Sequence, residues 1–153
     1  MKWESKDMDV YLTAKEYVDT AVLPLLPVSF GEDMKQVVGM GEFISLLMPQ
    51  LEKQFKGRIF LLPQYSYLKT SEEGKRISDL HDWVTHIRNH GFKHIFFITS
   101  DSDWKAGEDK LNGELIWLPS IPLENMEEKY KRTILEEQVK QLLQLIIQKW
   151  QDN

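Results

Sequence analysis

The sequence predicts an α/β fold of the Rossmann-like kind, in which helices cover both faces of a mostly parallel sheet of about four strands in three layers. Two observations predict it. The run Ile95–Ile98 is unbroken and apolar, whereas a strand with one solvent-exposed face would alternate apolar and polar residues. Segments with helical apolar spacing also alternate along the chain with short apolar runs, which is typical of a parallel sheet covered by helices. We therefore expect residues 95–98 to form a central strand.

Residues 7–30 are predicted to form a helix and a strand. Apolar residues recur at helical spacing from Asp7 to Val18, which indicates an amphipathic helix. The apolar segment Ala21–Phe30 indicates a buried strand, but Pro24 and Pro27 each remove one backbone donor from a ladder. We therefore expect an edge strand, or a strand that these prolines shorten and kink.

The next two predicted elements are a long helix and a second buried strand. Apolar side chains recur at helical spacing from Met34 to Phe55, although two glycines weaken the first turns. The segment Arg58–Leu62 is apolar after its first residue and is closed by Pro63, which indicates a strand. Residues 64–67 are polar and aromatic, and we expect a loop there.

The third helix is predicted from signals at both of its ends. Thr70 and Glu73 have the spacing of a capping box, in which each side chain bonds the backbone N–H of the other residue. Helical spacing continues to His90, and Gly91 supplies the left-handed residue that commonly follows a helix. The central strand follows directly.

The last third of the chain is predicted to contain a strand and a long helix. Residues 102–112 are charged and indicate either a loop or a short solvated helix. The segment Gly113–Leu118 is the last predicted strand. The short link before it is compatible with an antiparallel hairpin or with a parallel strand after a crossover too brief to recognise. Apolar residues at helical spacing then extend from Glu124 to Trp150.

Composition and charge narrow the class of function. A chain of 153 residues has the length of one domain, so residues 1–153 are predicted to form a single domain. The net charge of −5 argues against nucleic acid or an anionic membrane as the main partner. With no Cys, neither a disulfide framework nor a thiolate metal site is possible. No apolar run approaches the length of a membrane span and no signal-peptide pattern occurs, so we expect a cytoplasmic protein.

Candidate site residues lie where the predicted strands end. Leu-Pro pairs close three strands, a hydroxyl residue follows each pair, and the ends of parallel strands share the edge at which α/β proteins bind ligands. Ser100, Asp101 and Asp103 follow the central strand, and their oxygens suit a catalytic site that holds Mg²⁺ or orients a water. The ligand-binding candidates are Ser29, Tyr65 and Ser66. The simpler interpretation is that proline ends each strand and that the acidic loop is solvated.

Four histidines lie within fourteen residues, at positions His81, His86, His90 and His94. His86 and His90 are four residues apart on a predicted helix and could face one metal ion, but three or four converging ligands are not apparent. At the C-terminal end of a helix, imidazolium also complements the helix dipole without any metal. We therefore predict no metal site. No phosphate-binding loop or dinucleotide motif occurs, and the sequence indicates no particular cofactor.

The last helix is the other feature that bears on function. Its 27 residues span about 40 Å, which is as long as the whole body of such a domain. Apolar residues near its end cover more than one face, and one sheet can bury only part of that circumference. Either another helix covers the rest, or the surface binds a protein partner or a second copy. The predicted interface residues are Leu142, Leu145, Ile146 and Trp150.

Five short segments are distinctive: Met1–Trp3, Tyr17–Val22, Pro24-Leu25 with Pro27, Gly41–Phe43, and Gly57-Arg58 leading into Leu61–Pro63. In these segments the chain resembles an uncharacterised bacterial family, the YpiF-like proteins of spore-forming Gram-positive bacteria. The resemblance covers essentially the whole chain. It implies a cytoplasmic single-domain protein and transfers no catalytic residue.

Two functional hypotheses follow from the sequence. The first is a non-catalytic interaction or regulatory module that associates through its C-terminal helix. The second is an enzyme that handles a small molecule or phosphate ester at the carboxyl ends of the strands. We favour the first, because enzymes of this fold usually carry a recognisable phosphate loop or nucleophile turn.

Overall fold

The computed structural model describes residues 1–152, and these form helices and parallel strands in alternation. The helices are α1 (Ser5–Thr13), α2 (Met34–Gln54), α3 (Glu73–Arg88) and α4 (Glu128–Gln151). The strands are β1 (Thr20–Val28), β2 (Ile59–Leu61), β3 (Tyr65–Leu68), β4 (His94–Thr99) and β5 (Glu114–Trp117). Two 3-10 segments, Lys15–Tyr17 and Ser102–Lys110, lie between them.

All of these strands are parallel and belong to one sheet. Its order is β2-β1-β4-β5, and β3 continues the β2 side by pairing with the second half of β1. The register pairs Ala21 with Phe60 but Leu25 with Tyr65. The chain therefore holds one extra residue between β2 and β3 relative to β1. The predicted mostly parallel α/β architecture is confirmed.

Helices cover both faces of this sheet. On one face α2 and α4 pack together, with Leu47 and Leu142 in a core shared with β1, β4 and β5. On the other face α3 packs through Leu80, and the segment Ser102–Lys110 closes the same core. The helix α1 covers Phe60 of β2, and the rings of Tyr11 and Phe60 meet edge to face at 5.0 Å.

The predicted central strand is confirmed. Ile95, Phe96, Phe97 and Ile98 all lie in β4, which pairs with β1 on one side and β5 on the other, and none is more than 2% exposed. Alternate residues enter the two cores, Phe96 towards α2 and α4 and Phe97 towards α3. An unbroken apolar run fits this position because both faces are covered.

The expectation that β1 is an edge strand, or a shortened one, was wrong. It is nine residues long and pairs on both sides. The N–H of Leu62 donates to the carbonyl oxygen of Val22, so Val22 and Pro24 present their backbone to β2 and β3. Pro24 lies opposite the gap between those two strands. Pro27 faces the other way, beyond the last pair that β1 forms with β4, between Pro24 and Ile98. Both missing donors therefore fall where no ladder partner exists.

Three other expectations need correction or a decision. Residues 65–68 form β3, where we expected a loop. The strand β5 is parallel, and the segment Ser102–Lys110 is the brief crossover that precedes it. The capping box does not form, because α3 begins at Glu73 itself and no side chain caps it. Gly91 does adopt a left-handed conformation after α3, with φ of 93°.

Candidate functional site

The strand order changes direction between β1 and β4, and ligands of open α/β sheets bind outside the carboxyl ends of the strands at such a point. Ser29 follows β1 at this edge, and Ser100, Asp101 and Asp103 follow β4. The segment Leu62–Pro63 does not belong here, because it lies in the gap between β2 and β3. The carboxyl edge therefore contains most, but not all, of the residues that the sequence predicted for it.

Asp101 is the centre of a polar cluster at this edge and is only 1% exposed. Its carboxylate accepts hydrogen bonds from Tyr67 Oη at 2.7 Å, from Lys69 Nζ at 2.9 Å and from the backbone N–H of Asp103 at 3.0 Å. Burial alone would raise the pKa of Asp101, but the hydrogen bonds from Tyr67 and Lys69 outweigh it and hold the pKa below its usual value. This carboxylate is fully engaged within the chain.

Tyr67 and Lys69 extend the cluster in two directions. The indole N–H of Trp104 donates to Tyr67 Oη at 2.7 Å, and burial together with the bond to Asp101 raises the pKa of Tyr67. Lys69 Nζ also donates to Asp103 Oδ2 at 2.8 Å. Burial opposes the charge of Lys69, yet the bonds to Asp103 and Asp101 leave its pKa raised. One ammonium thus bridges the acidic pair that suggested a Mg²⁺ site and offsets half of its charge.

The ligand-binding candidates are not brought together. Ser29 Oγ donates to Asp33 Oδ1 at 2.6 Å within the turn between β1 and α2. Tyr65 Oη donates to Asp79 of α3 at 2.8 Å; burial, followed by this bond, raises the pKa of Tyr65 to about 12. Ser66 is the next residue of β3, so its side chain points to the opposite face from that of Tyr65.

The three catalytic candidates differ in their exposure to solvent. Ser100 and Asp101 are buried, whereas Asp103 is exposed. The carbonyl oxygen of Ser100 accepts the indole N–H of Trp117 at 3.1 Å, but its buried hydroxyl has no hydrogen-bond partner among residues 1–152. No two of these three side chains share an open surface.

The histidines are distributed over α3 and the start of β4. His81 bonds the carbonyl oxygen of Lys110 at 2.8 Å, and His90 bonds that of His86, also at 2.8 Å. The rings of His86 and His90 lie 4.6 Å apart. Burial lowers the pKa of His94. Within residues 1–152, no three His, Asp or Glu side chains come together as metal ligands would.

Two of the four predicted interface residues are buried within the chain. Leu142 and Ile146 are 0% exposed and pack in the core beneath α4. Trp150 is partly buried: its indole N–H donates to Thr20 Oγ1 at 2.8 Å, and the guanidinium carbon of Arg58 lies 3.8 Å from its ring centroid. Leu145 is different, because it is 45% exposed on the side of α4 next to β5.

The strand β5 leaves one side of the sheet unpaired. The N–H of Leu118 donates to the carbonyl oxygen of Thr99, so even-numbered residues here direct their backbone towards β4. The N–H and C=O groups of Leu115 and Trp117 therefore point outwards. Within the part of the chain that the structure describes, no strand pairs with that edge.

A groove follows this edge and is formed by two adjoining clefts, of about 250 and 820 Å³, that share Phe96, Glu114 and Lys149. We call it the β5 groove. Leu145 of α4 lines the first cleft, together with β5 itself. The second cleft lies at the start of β5 and includes Arg88 of α3.

Sequence analysis missed Tyr67, Lys69 and Trp104 at the carboxyl edge, and the cations of the β5 groove. One signal was present: Tyr65 and Tyr67 have the two-residue spacing of a strand face, with β-prone aromatic side chains. The groove cations had no local signal, because α3, the turn before β4 and α4 contribute them from distant parts of the chain.

Comparison with known proteins gives a consistent result. Residues 9–150 match a family described as "Protein of unknown function (DUF2487)". A relative from Bacillus subtilis (strain 168), "Uncharacterized protein YpiF", is 39% identical over 150 residues, which are 98% of this chain and 98% of the relative. No solved structure matches the chain. None of its helices, over residues 1–152, is long and apolar enough to cross a bilayer.

Proposed function

The chain belongs to the DUF2487 family, and from that premise we propose that it is a non-catalytic protein-binding module whose binding surface is the β5 groove with the adjoining side of α4. The partner is a polypeptide different from this chain. As part of the proposal, the protein acts in the cytoplasm, where the sequence analysis places it.

One observation supports this proposal above others, namely the unpaired edge of β5 beside the exposed side chain of Leu145. An open strand edge offers ready-made backbone donors and acceptors to another chain. Natural proteins usually cover such an edge or protect it with inward-pointing charge or proline. The two residues of β5 whose backbone groups point outwards, Leu115 and Trp117, are neither charged nor proline, and the charged residue of this strand is Glu114 at its start.

The enzyme alternative has less support from the same structure. Asp101 is shielded by Tyr67 and Lys69, and Tyr65 and Ser66 occupy opposite faces of β3. A small-molecule site needs several polar groups that converge on one cavity. At the carboxyl edge, Asp101 and Asp103 instead bond Lys69, and Ser29 bonds Asp33 in the turn that follows β1.

Site-specific photo-crosslinking in the native cells tests the proposal. A photo-reactive amino acid at Leu145 is expected to give a discrete crosslinked product with another protein. The same group at Tyr130, which is 61% exposed near the start of α4, is the matched control and is expected to give none. The product should disappear when Leu115→Pro removes an outward N–H of β5.

Three outcomes would overturn the proposal. Equal crosslinking at both positions would mean that the surface next to β5 has no special role. A product of twice the 18.1 kDa chain mass would identify a second copy as the occupant. A product at Leu145 that survives Leu115→Pro would remove the strand edge from the binding surface.

A further inference from the structure

We propose that the β5 groove takes an extended, acidic peptide segment, which adds to the sheet as a further strand. This inference rests on the proposed function and names the partner of the same surface. It is carried by the outward backbone of β5, by the shape of the groove and by the sign of its charges.

The backbone of β5 sets the mode of binding. Leu115 and Trp117 each present one N–H and one C=O outwards, and the added strand would bond these groups as β4 bonds the other side. Strand addition of this kind obtains its affinity from main-chain hydrogen bonds and its specificity from alternate side chains. Four residues of β5 can pair with a segment of about 13 Å, at about 3.3 Å per residue.

The walls of the groove favour a single extended chain. Leu145 and Lys149 of α4 stand on one side of the β5 edge, where Ile116 and Phe96 form the floor. Alternate side chains of an added strand would face this wall, and the apolar stem of Lys149 can cover one of them. Leu145 supplies the apolar contact.

Charge determines which peptide is favoured. Arg88, Lys93 and Lys149 line the groove, against Glu114 and Asp152. Lys105 adds a fourth cation at the far end of β5, with its Nζ 3.7 Å from the ring centroid of Trp117. Across the whole chain acids outnumber bases, 24 to 19, so this excess of cations is local.

Glu114 does not cancel these cations. It pairs with Lys149 at 3.4 Å, and both side chains are about half exposed, so the pair is weak and can exchange partners. Arg88 donates to the carbonyl oxygens of Lys93 and Asn112, which holds its charge at the groove without neutralising it. With Asp152 also counted, the lining keeps one cation in excess, and Lys105 makes the excess two, so an acidic peptide meets a net positive charge.

The same charges disfavour a second copy as the occupant. Two copies joined edge to edge would bring the cations of both grooves together, and each copy carries a net charge of −5. Like charges placed opposite each other across an interface weaken association. An acidic segment from another protein avoids the first of these disadvantages, because it brings carboxylates and not cations to the groove.

Selection from a displayed library of random peptides, about eight residues long to cover a strand and its flanks, tests the inference on the full chain. We expect the selected pool to be enriched in Asp and Glu and in β-branched residues at alternate positions. A selected peptide should bind at least about tenfold more tightly than its analogue with Lys at each acidic position. Raising the salt concentration should weaken it several-fold.

Two variants form a matched pair for the edge. Leu115→Pro removes the outward N–H, whereas Leu115→Ala shortens the side chain further and keeps that N–H. We expect about a fivefold loss of peptide affinity with proline and less than about threefold with alanine, since each main-chain hydrogen bond contributes about 1 kcal/mol. Amide exchange and circular dichroism show whether each variant is folded. If Leu115→Pro does not fold, a selected peptide with one N-methylated backbone amide tests the same bonds.

The outcomes separate this inference from the proposed function. Crosslinking at Leu145 together with a pool lacking acidic enrichment would overturn the acidic segment and leave the binding module standing. Equal affinity of a selected peptide for the proline and alanine variants would overturn strand addition. Absence of crosslinking at Leu145 would overturn the module itself.

Discussion

The carboxyl edge of the sheet and the β5 side contrast in how their polar groups are used. At the carboxyl edge, Asp101 is buried and accepts bonds from Tyr67 and Lys69, so its charge is satisfied within the chain. At the β5 side, the outward backbone groups of Leu115 and Trp117 have no strand to bond. The region with the ionisable side chains has its polar groups hydrogen-bonded within the chain. The region with mostly apolar side chains has backbone groups that no strand of the chain bonds.

This contrast shows that residue type alone does not predict which polar groups remain free to bind another molecule. Acidic residues after a central strand suggest a site, but a nearby Lys and Tyr can convert them into part of the stable structure. An open edge depends instead on which strand ends the sheet, which is a property of topology. The predictions that follow test whether the two regions divide in this way.

The largest effect is expected at the carboxyl edge. Replacing Asp101 with Ala should lower the free energy of unfolding by about 4 kcal/mol, because it leaves the buried hydroxyl of Tyr67 without an acceptor and Lys69 without its buried partner. Denaturant unfolding measures it. Asp103→Ala is the control: that carboxylate is half exposed, and less than about 1 kcal/mol should be lost. Equal losses would contradict a buried network centred on Asp101.

The two faces of α4 are expected to differ almost as much. Leu142→Ala should cost about 3 kcal/mol, since Leu142 is fully buried and its removal leaves a cavity. Leu145→Ala should change the free energy of unfolding by less than about 0.5 kcal/mol, as expected for an exposed side chain. Thermal or denaturant unfolding of both variants provides the comparison. A large loss for Leu145→Ala would mean that this side chain serves the core and not a partner.

A smaller effect is expected where β5 joins the sheet. A Cβ on Gly113 would lie 2.7 Å from Phe97 Cε2 and 3.0 Å from the carbonyl oxygen of Ile95, so Gly113→Ala should destabilise the protein by about 2 kcal/mol. Gly39→Ala in α2 meets nothing within 4 Å and should stabilise it by up to about 1 kcal/mol. Calorimetry can rank the two. If Gly113→Ala left the free energy of unfolding unchanged, Gly113 would not lie as close to Phe97 and Ile95 as described.

The pH dependence of stability should report the carboxyl edge at its two extremes, with Asp19 adding to the acid limb and Tyr65 to the basic limb. The folded-state pKa of Asp101 is depressed, so its contribution is present above its ordinary value of 3.8 and is lost as pH falls through the lower folded value. The pKa of Tyr67 is raised, so its contribution is present below 10.0 and is lost as pH rises above that value. Unfolding midpoints measured across pH should therefore fall at both extremes.

The variant Asp101→Asn should reduce the slope of the acid limb of that profile, because one of the carboxyl groups with a depressed pKa is gone. Leu145→Ala should leave the profile unchanged, since Leu145 touches no group of the cluster. A flattened acid limb in Leu145→Ala, or an unchanged one in Asp101→Asn, would break the division between the two regions.

The fold was predictable to the extent that its signals are local. The run Ile95–Ile98 is apolar on both faces because both faces are covered, and any observer of the sequence can recognise it. Strand β1 was misplaced because the cost of Pro24 and Pro27 depends on where the neighbouring strands end, which the local sequence does not contain. Strand β3 was overlooked because Pro63 ends β2, although the chain resumes pairing with β1 two residues later.

The candidate sites were less predictable for the same reason. Asp101 and Asp103 were found from their position after β4. Their hydrogen bonds to Lys69 were not, because Lys69 is more than thirty residues away in sequence. Of the predicted interface residues, Leu142 and Ile146 follow the helical spacing of the core, and Leu145 lies off it. The openness of β5 has no residue signature, because it results from the absence of a neighbouring strand.

The two prolines of β1 have a consequence for how the sheet assembles. A slip of two residues between β1 and β4 would keep every side chain on its own face, so side-chain packing alone discriminates poorly against it. That slip would place Pro27 opposite a carbonyl group of β4 that then finds no hydrogen. Pro24 imposes the same penalty on a continuous strand that bridges the gap between β2 and β3. The positions that remove hydrogen bonds from the native sheet thus disfavour a slip of β1 along β4 in one direction, and a continuous strand in place of β2 and β3.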